Sequence, residues 1–189
     1  MARSKFNVLT HGLSGLVGDM IVFRQRANKT IVCGKPKPSS KAPTVAALAI
    51  RDRFRRAAIY AASTMEDPTL KAEYQQTAKL GQSAYNMAFS DYQKAPEIYQ
   101  DIDLGTYTGA IGETIEISTI DDFRVVSVHV KLTDAADVII EQGLAVQSPN
   151  GLDWVYTFTV ENSLVTGSKL VVTATDLPGN KTVLEKILQ

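Results

Sequence analysis

Twelve of the chain's 20 Lys and Arg residues fall within residues 1–56: Arg3, Lys5, Arg24, Arg26, Lys29, Lys35, Lys37, Lys41, Arg51, Arg53, Arg55 and Arg56. Only Asp19 and Asp52 oppose them, a local net charge of +10; the whole chain is formally neutral, so the remaining residues carry −10. Cationic groups at this density hold anions, either the phosphates of a nucleic acid or the carboxylates of a protein surface. The candidate interaction residues are Arg24, Arg26, Lys29, Lys35, Lys37, Arg51, Arg53, Arg55 and Arg56, with the Arg51-Asp52-Arg53-Phe54-Arg55-Arg56 run at their centre. Basic and acidic ends on one subunit are self-complementary. Such ends make heterologous contacts that close into rings or continue as filaments.

Catalytic chemistry has few residues to draw on. His11 and His129 are the two histidines, and neither has a Cys, His or carboxylate at a metal-ligand spacing. The single cysteine, Cys33, excludes an internal disulfide and lies in an apolar run, where a packed thiol is expected. Gly12, Gly15 and Gly18 do not make a phosphate loop, because no Lys-Ser/Thr pair follows them. Ser14 lacks the strand-turn-helix setting of a nucleophile elbow. The reading is therefore not an enzyme, with no catalytic residue, metal or cofactor assigned. Asp121, Asp122, Asp134, Asp137 and Asp176 fall in predicted loops that could gather at one end of a sheet domain, where converging oxygens suit calcium. Loop aspartates more often serve their own turns, so no ligand set follows from the sequence.

Several elements must carry these groups. Residues 1–18 read as a basic, then glycine-spaced arm. Residues 19–33 give two short β-rich runs around Ala27-Asn28, a hairpin that needs a surface to pack on. The prolines of residues 34–43 predict an extended linker. A helix is expected over residues 44–63, with Ala47, Ile50, Phe54, Ala57, Ala58 and Ala61 as its apolar stripe. Asp67 and Pro68 suit the start of a second helix, whose stripe runs through Leu70, Tyr74, Thr77, Gly81, Ala84 and Ala88 and which Pro96 ends. Tyr74, Tyr85, Tyr92 and Tyr99 are expected at buried or interface positions. After a loop over 97–112, alternating runs at 114–118, 124–132, 138–146, 153–160, 169–175 and 181–187 predict an antiparallel sandwich, with turns at Asn150-Gly151 and Pro178-Gly179-Asn180. The alternation at Val126, Val128, Val130 and Leu132 puts His129 on the outer face. The expected class is α+β: a basic arm, β-hairpin and helical hairpin over 1–111, then an all-β sandwich over 112–189.

Lys169-Leu-Val-Val-Thr-Ala-Thr-Asp-Leu-Pro-Gly-Asn-Lys, with Trp154-x-Tyr156-x-Phe158 before it, resembles the closing strands of bacterial immunoglobulin-like domains. That resemblance implies an immunoglobulin-like sandwich over 112–189. Gly12-Leu-Ser-Gly-Leu-Val-Gly, Lys35-Pro-x-Pro and Ala49-x-Arg51-x-x-Phe54 resemble an uncharacterised family of small proteins from Bacteroidota and their phages. Cys33-Gly34 stands where that family usually has an arginine, and Leu48 where it has a glutamine. The resemblance implies a phage-like setting and no functional residue. The N-terminus lacks the continuous apolar region of a secretory signal, so cytoplasmic synthesis is expected, followed by a place in a virion or phage-tail-like particle. The expected partners are further copies of the chain and other particle proteins, with nucleic acid as the alternative and no membrane.

Overall fold

The computed structural model describes residues 2–4, 9–26, 29–38, 40–99, 102–105 and 107–188, the first three by backbone alone. Lys5 and the expected Ala27-Asn28 turn lie outside the described residues. Three helices and three antiparallel sheets make the chain a mixed α+β protein. No helix among the described residues is long and apolar enough to cross a membrane.

The first sheet contains β1 (Ala2–Ser4), β2 (Gly15–Val17), β3 (Ile21–Arg26) and β4 (Lys29–Gly34), in the order β1-β4-β3-β2. The expected hairpin is β3–β4. The arm is not a separate extended tail, because β1 and β2 extend that hairpin on both edges. Gly18 and Asp19, at φ 58° and 56°, close the tight β2–β3 connection in the left-handed region that glycine tolerates at little cost.

Helix α1 spans Val45–Thr64 and starts where the Thr44 hydroxyl accepts a hydrogen bond from the Ala47 amide (3.2 Å). Its stripe holds only in the second half, where Ala57, Ala61 and Thr64 are buried. Ile50 and Phe54, assigned to the same stripe, are 70% and 58% exposed, because α1 outruns the elements that cover it. The expected second helix is two: α2 (Pro68–Thr77) and α3 (Ala84–Gln93). Asp67 caps α2 through the Thr69 and Leu70 amides, and Ser83 caps α3 through Asn86. Gly81 stands between them at φ 84°, a conformation no right-handed helix contains, so the helical period the residues share does not make one helix. Ala84 and Ala88 keep their expected buried places, with Tyr74, Met87 and Ala61 in the same apolar cluster.

The remaining strands are β5 (Glu97–Ile98), β6 (Thr114–Ile120), β7 (Val125–Thr133), β8 (Ile139–Leu144), β9 (Val146–Gln147), β10 (Asp153–Thr157), β11 (Lys169–Asp176) and β12 (Lys181–Ile187). They form two four-stranded sheets, β5-β6-β10-β9 and β12-β11-β7-β8. The segment expected to be a loop after Pro96 thus contributes β5, which extends β6. One hydrophobic core joins the inner faces: Ile115, Ile117, Trp154 and Tyr156 from one sheet, and Val128, Val130, Leu132, Leu170, Val172 and Ala174 from the other. Val126, expected inside, is 51% exposed, and His129 is half-buried. The Trp154 indole donates to the Thr119 hydroxyl (3.0 Å), so this large ring is buried without an orphaned donor. At the predicted Asn150-Gly151 turn, Gly151 has φ 75° and the Asn150 side chain accepts from the Leu152 and Asp153 amides.

The helices join the strands through particular contacts. Tyr74 stacks on Phe123 with centroids 4.0 Å apart, and Arg124 pairs with Glu73 (3.2 Å). The Asn180 side chain donates to the carbonyls of Asp91 (3.3 Å) and Lys94 (2.8 Å), and the Thr182 hydroxyl donates to the Pro96 carbonyl. The closing Asp-Leu-Pro-Gly-Asn sequence is therefore both a β-turn and a bracket on the end of α3.

Candidate assembly surface

The basic residues divide between two elements. In the N-terminal sheet the register aligns Leu16, Val22 and Cys33 in one cross-strand row. Two steps along the same face Arg24 opposes Ile31, and beyond it Arg26 opposes Lys29. This face therefore grades from apolar to basic. Its last row sets two like charges directly opposite each other, which destabilises an isolated pair and favours an anion laid across them. Cys33 is half-buried, its Sγ 3.6 Å from the Val22 carbonyl, as expected of a packed thiol.

The sheet has almost no interior. Thr30 alone among its described residues is buried, holding its hydroxyl 2.9 Å from the Gln25 amide nitrogen. None of its residues belongs to either apolar core, while Leu13, Leu16, Val17, Met20 and Ile21 are exposed. His11 is exposed beside them. Lys35 pairs with Asp19 (2.5 Å), and Lys37 is exposed on the linker, where the chain from Gly34 to Pro38 borders a shallow cavity with Asp19 and Met20.

The second element is the projecting half of α1. Residues 48–56 are all exposed, so Leu48, Ile50 and Phe54 share the surface with Arg51, Arg53, Arg55 and Arg56. The arginines are not equivalent. Arg53 donates to the Gln93 carbonyl and Arg56 pairs with Asp52 (2.9 Å), whereas Arg24, Arg26, Arg51 and Arg55 have no ion pair among the described residues. Phe54 meets Phe89 of α3 edge-on (centroids 4.7 Å) while staying 58% exposed. The tyrosines differ as well: Tyr74 is buried, Tyr92 lies against Tyr60 (5.4 Å), and Tyr85 and Tyr99 are exposed.

The predicted loop aspartates do not gather as one group. Asp134 closes its own turn by accepting from the Ala136 and Val138 amides (both 2.8 Å), Asp137 pairs with Lys169 (2.6 Å), and Asp122 pairs with Lys94 (2.6 Å). Asp121 and Asp176 do come together, and they are joined by Asp91 of α3, which the sequence reading did not single out. Its signal was present: Ala84, Ala88 and Asp91 share one helix face, and a carboxylate on an otherwise small and apolar stripe is an anomaly.

No protein-family model matches the chain, and no curated protein matches it. Among solved structures it is similar to the crystal structure of an engineered protein, with a TM-score of 0.33 and 14% identity over 58% of this chain and 30% of that one. The likeness thus spans under a third of that protein's length.

Proposed function

We propose that the protein is a non-enzymatic structural component that assembles with further copies of itself. Its basic N-terminal sheet and the projecting half of α1 engage the acidic C-terminal portion of a neighbour. The observation that carries this reading is the N-terminal sheet, four strands whose described residues bury Thr30 alone and leave Leu16, Arg24, Arg26 and Lys29 of one apolar-to-basic face exposed. A sheet normally needs a second layer to be stable. The opposed charges of the two portions, +10 for residues 1–56 and −10 for the rest, make a second copy of the chain the complementary occupant.

The strand orders β5-β6-β10-β9 and β12-β11-β7-β8 correspond to the A-B-E-D and G-F-C-C′ orders of an immunoglobulin sandwich, which supports assigning residues 112–189, together with β5, to that fold. In a virion or phage-tail-like particle, the setting that the N-terminal resemblance implies, this domain projects while the N-terminal portion docks.

Light scattering on the full chain at about 50 mM salt tests the reading: multimers form, and they dissociate as salt shortens the Debye length from about 10 Å at 0.1 M to about 3 Å at 1 M. A chain that stays monomeric at low salt and high concentration removes it. The nucleic-acid alternative rests on the unpaired Arg24, Arg26, Arg51 and Arg55, and a gel shift that falls steeply with salt would favour it. Because Arg53 and Arg56 are held within the chain, the helix offers a smaller phosphate surface than its sequence suggests.

A further inference from the structure

Three carboxylates converge where α3 meets the C-terminal strands, outside the basic N-terminal sheet and the projecting half of α1. Asp91 lies in the last turn of α3, Asp121 follows β6 directly, and Asp176 ends β11; one oxygen from each lies within 4.8 Å of the others. Asp91 is 0% exposed and Asp176 2% exposed. Asp91 Oδ1 and Asp121 Oδ2 are buried with no hydrogen-bond partner.

The surroundings hold these groups in place as acceptors. The Tyr74 hydroxyl donates to Asp91 Oδ2 (2.5 Å) and lies 3.0 Å from the Tyr60 hydroxyl, so a row of hydroxyls points its protons at Asp91 and leaves Oδ1 to another partner. Asn180 donates to both oxygens of Asp176, from its backbone amide (2.6 Å) and its side chain (2.7 Å). Neighbouring cations are engaged elsewhere, Lys94 with Asp122 and Arg124 with Glu73. None of the three carboxylates is ion-paired to a described Lys or Arg. The C-terminal end of α3 adds the negative end of its dipole. Burial raises the proton affinity of Asp91, Asp121 and Asp176 alike, and neighbouring carboxylates raise it further at Asp91 and Asp121. A buried cluster of like charges must be neutralised, and oxygen-only donors without histidine or cysteine select a hard cation.

We infer that Asp91, Asp121 and Asp176 bind a divalent cation of the calcium class, with Asp91 Oδ1 and Asp121 Oδ2 as its unpaired ligand oxygens. Calcium accepts irregular sets of oxygens at about 2.3–2.6 Å, so ligands on opposite sides of the ion stand about 4.6–5.2 Å apart; magnesium demands a tighter octahedron at about 2.0–2.1 Å. A cavity of about 180 Å³ bordered by Lys94, Ala95, Glu97, Ile120, Asp121 and Asp122 reaches the cluster at Asp121. The ion ties α3 to β6 and β11, fixing the helices on the strands. This site is independent of the assembly reading.

The test is thermal unfolding of the full chain, stripped with a chelator and then supplied with about 2 mM calcium or magnesium at neutral pH. Calcium is expected to raise the midpoint by about 4 °C or more, magnesium by less, and D91N to lose the calcium response. An unchanged midpoint with calcium, a magnesium effect as large as that of calcium, or the same calcium response in D91N overturns the inference. If D91N does not fold, calorimetric titration of the wild type with calcium replaces it: one ion per chain supports the site and none overturns it.

Discussion

The N-terminal sheet and each of the two C-terminal sheets are antiparallel and four strands wide, yet they are stabilised in opposite ways. Along β11 every second residue is buried, with Leu170, Val172 and Ala174 in the core shared with the second sheet and Asp176 at the junction with α3. In β3 no residue is buried, and none of the described residues of β2 and β3 belongs to either hydrophobic core. Hydrogen-bonded strands make a sheet, but apolar area removed from water makes it stable. The C-terminal portion therefore has an apolar interior of its own, whereas on the proposed reading the N-terminal sheet is completed by a partner surface.

Removing a large side chain from each region separates the two most sharply. Phe158→Ala, which empties a site shared with Tyr107 and Tyr156, is expected to destabilise the protein by about 3–5 kcal/mol in urea unfolding. Met20→Ala and Leu16→Ala, at exposed positions, should stay within about 0.5 kcal/mol in the monomer while weakening self-association in light scattering. If their stability cost matched that of Phe158→Ala, the sheet would have an interior after all.

pH offers a second contrast, because the N-terminal portion has no buried carboxylate among its described residues, whereas the α3 junction has buried Asp91 and Asp176 with half-buried Asp121 beside them. Burial pushes the Asp91 carboxyl up to about 7, and Asp121 and Asp176 are raised for the same leading reason. In the folded state these groups hold protons that the unfolded chain has released, so stability is fullest below the ordinary carboxylate range and falls as pH rises towards 7. With a chelator present, the thermal midpoint of the wild type should decline over that window, whereas D91N should decline less.

The smallest effect sharpens the account of the arginines. Arg56→Ala removes an exposed (i, i+4) pair with Asp52 and should cost no more than about 0.5 kcal/mol. Arg51→Glu and Arg55→Glu, at residues without an ion pair among the described residues, should leave stability equally unchanged and abolish low-salt multimers. If assembly survives both charge reversals, α1 is not part of the docking surface.

Much of this was legible in the residues. The alternation of β7, β10 and β11, the Asn150-Gly151 turn, and the caps at Asp67 and Pro68 follow from rules local to a few positions, and the charge division requires only counting. Local rules failed where coverage by distant residues decides. Ile50 and Phe54 have helical spacing like Ala57 and Ala61, but which half of a helix is covered depends on where α3 passes. Gly81 broke a helix whose apolar period runs straight through it.

The sequence by itself determined a basic portion joined to an acidic one, an α+β order of elements and a lack of recognisable catalytic spacing, because composition and short-range periodicity are properties of neighbouring residues. Only the tertiary structure decided that the described residues of the N-terminal sheet join neither hydrophobic core, and that Asp91, Asp121 and Asp176 meet at one point. Residues 85 positions apart meet only when α3 is bracketed onto the β11–β12 turn by Asn180, and no spacing rule along the chain carries that information.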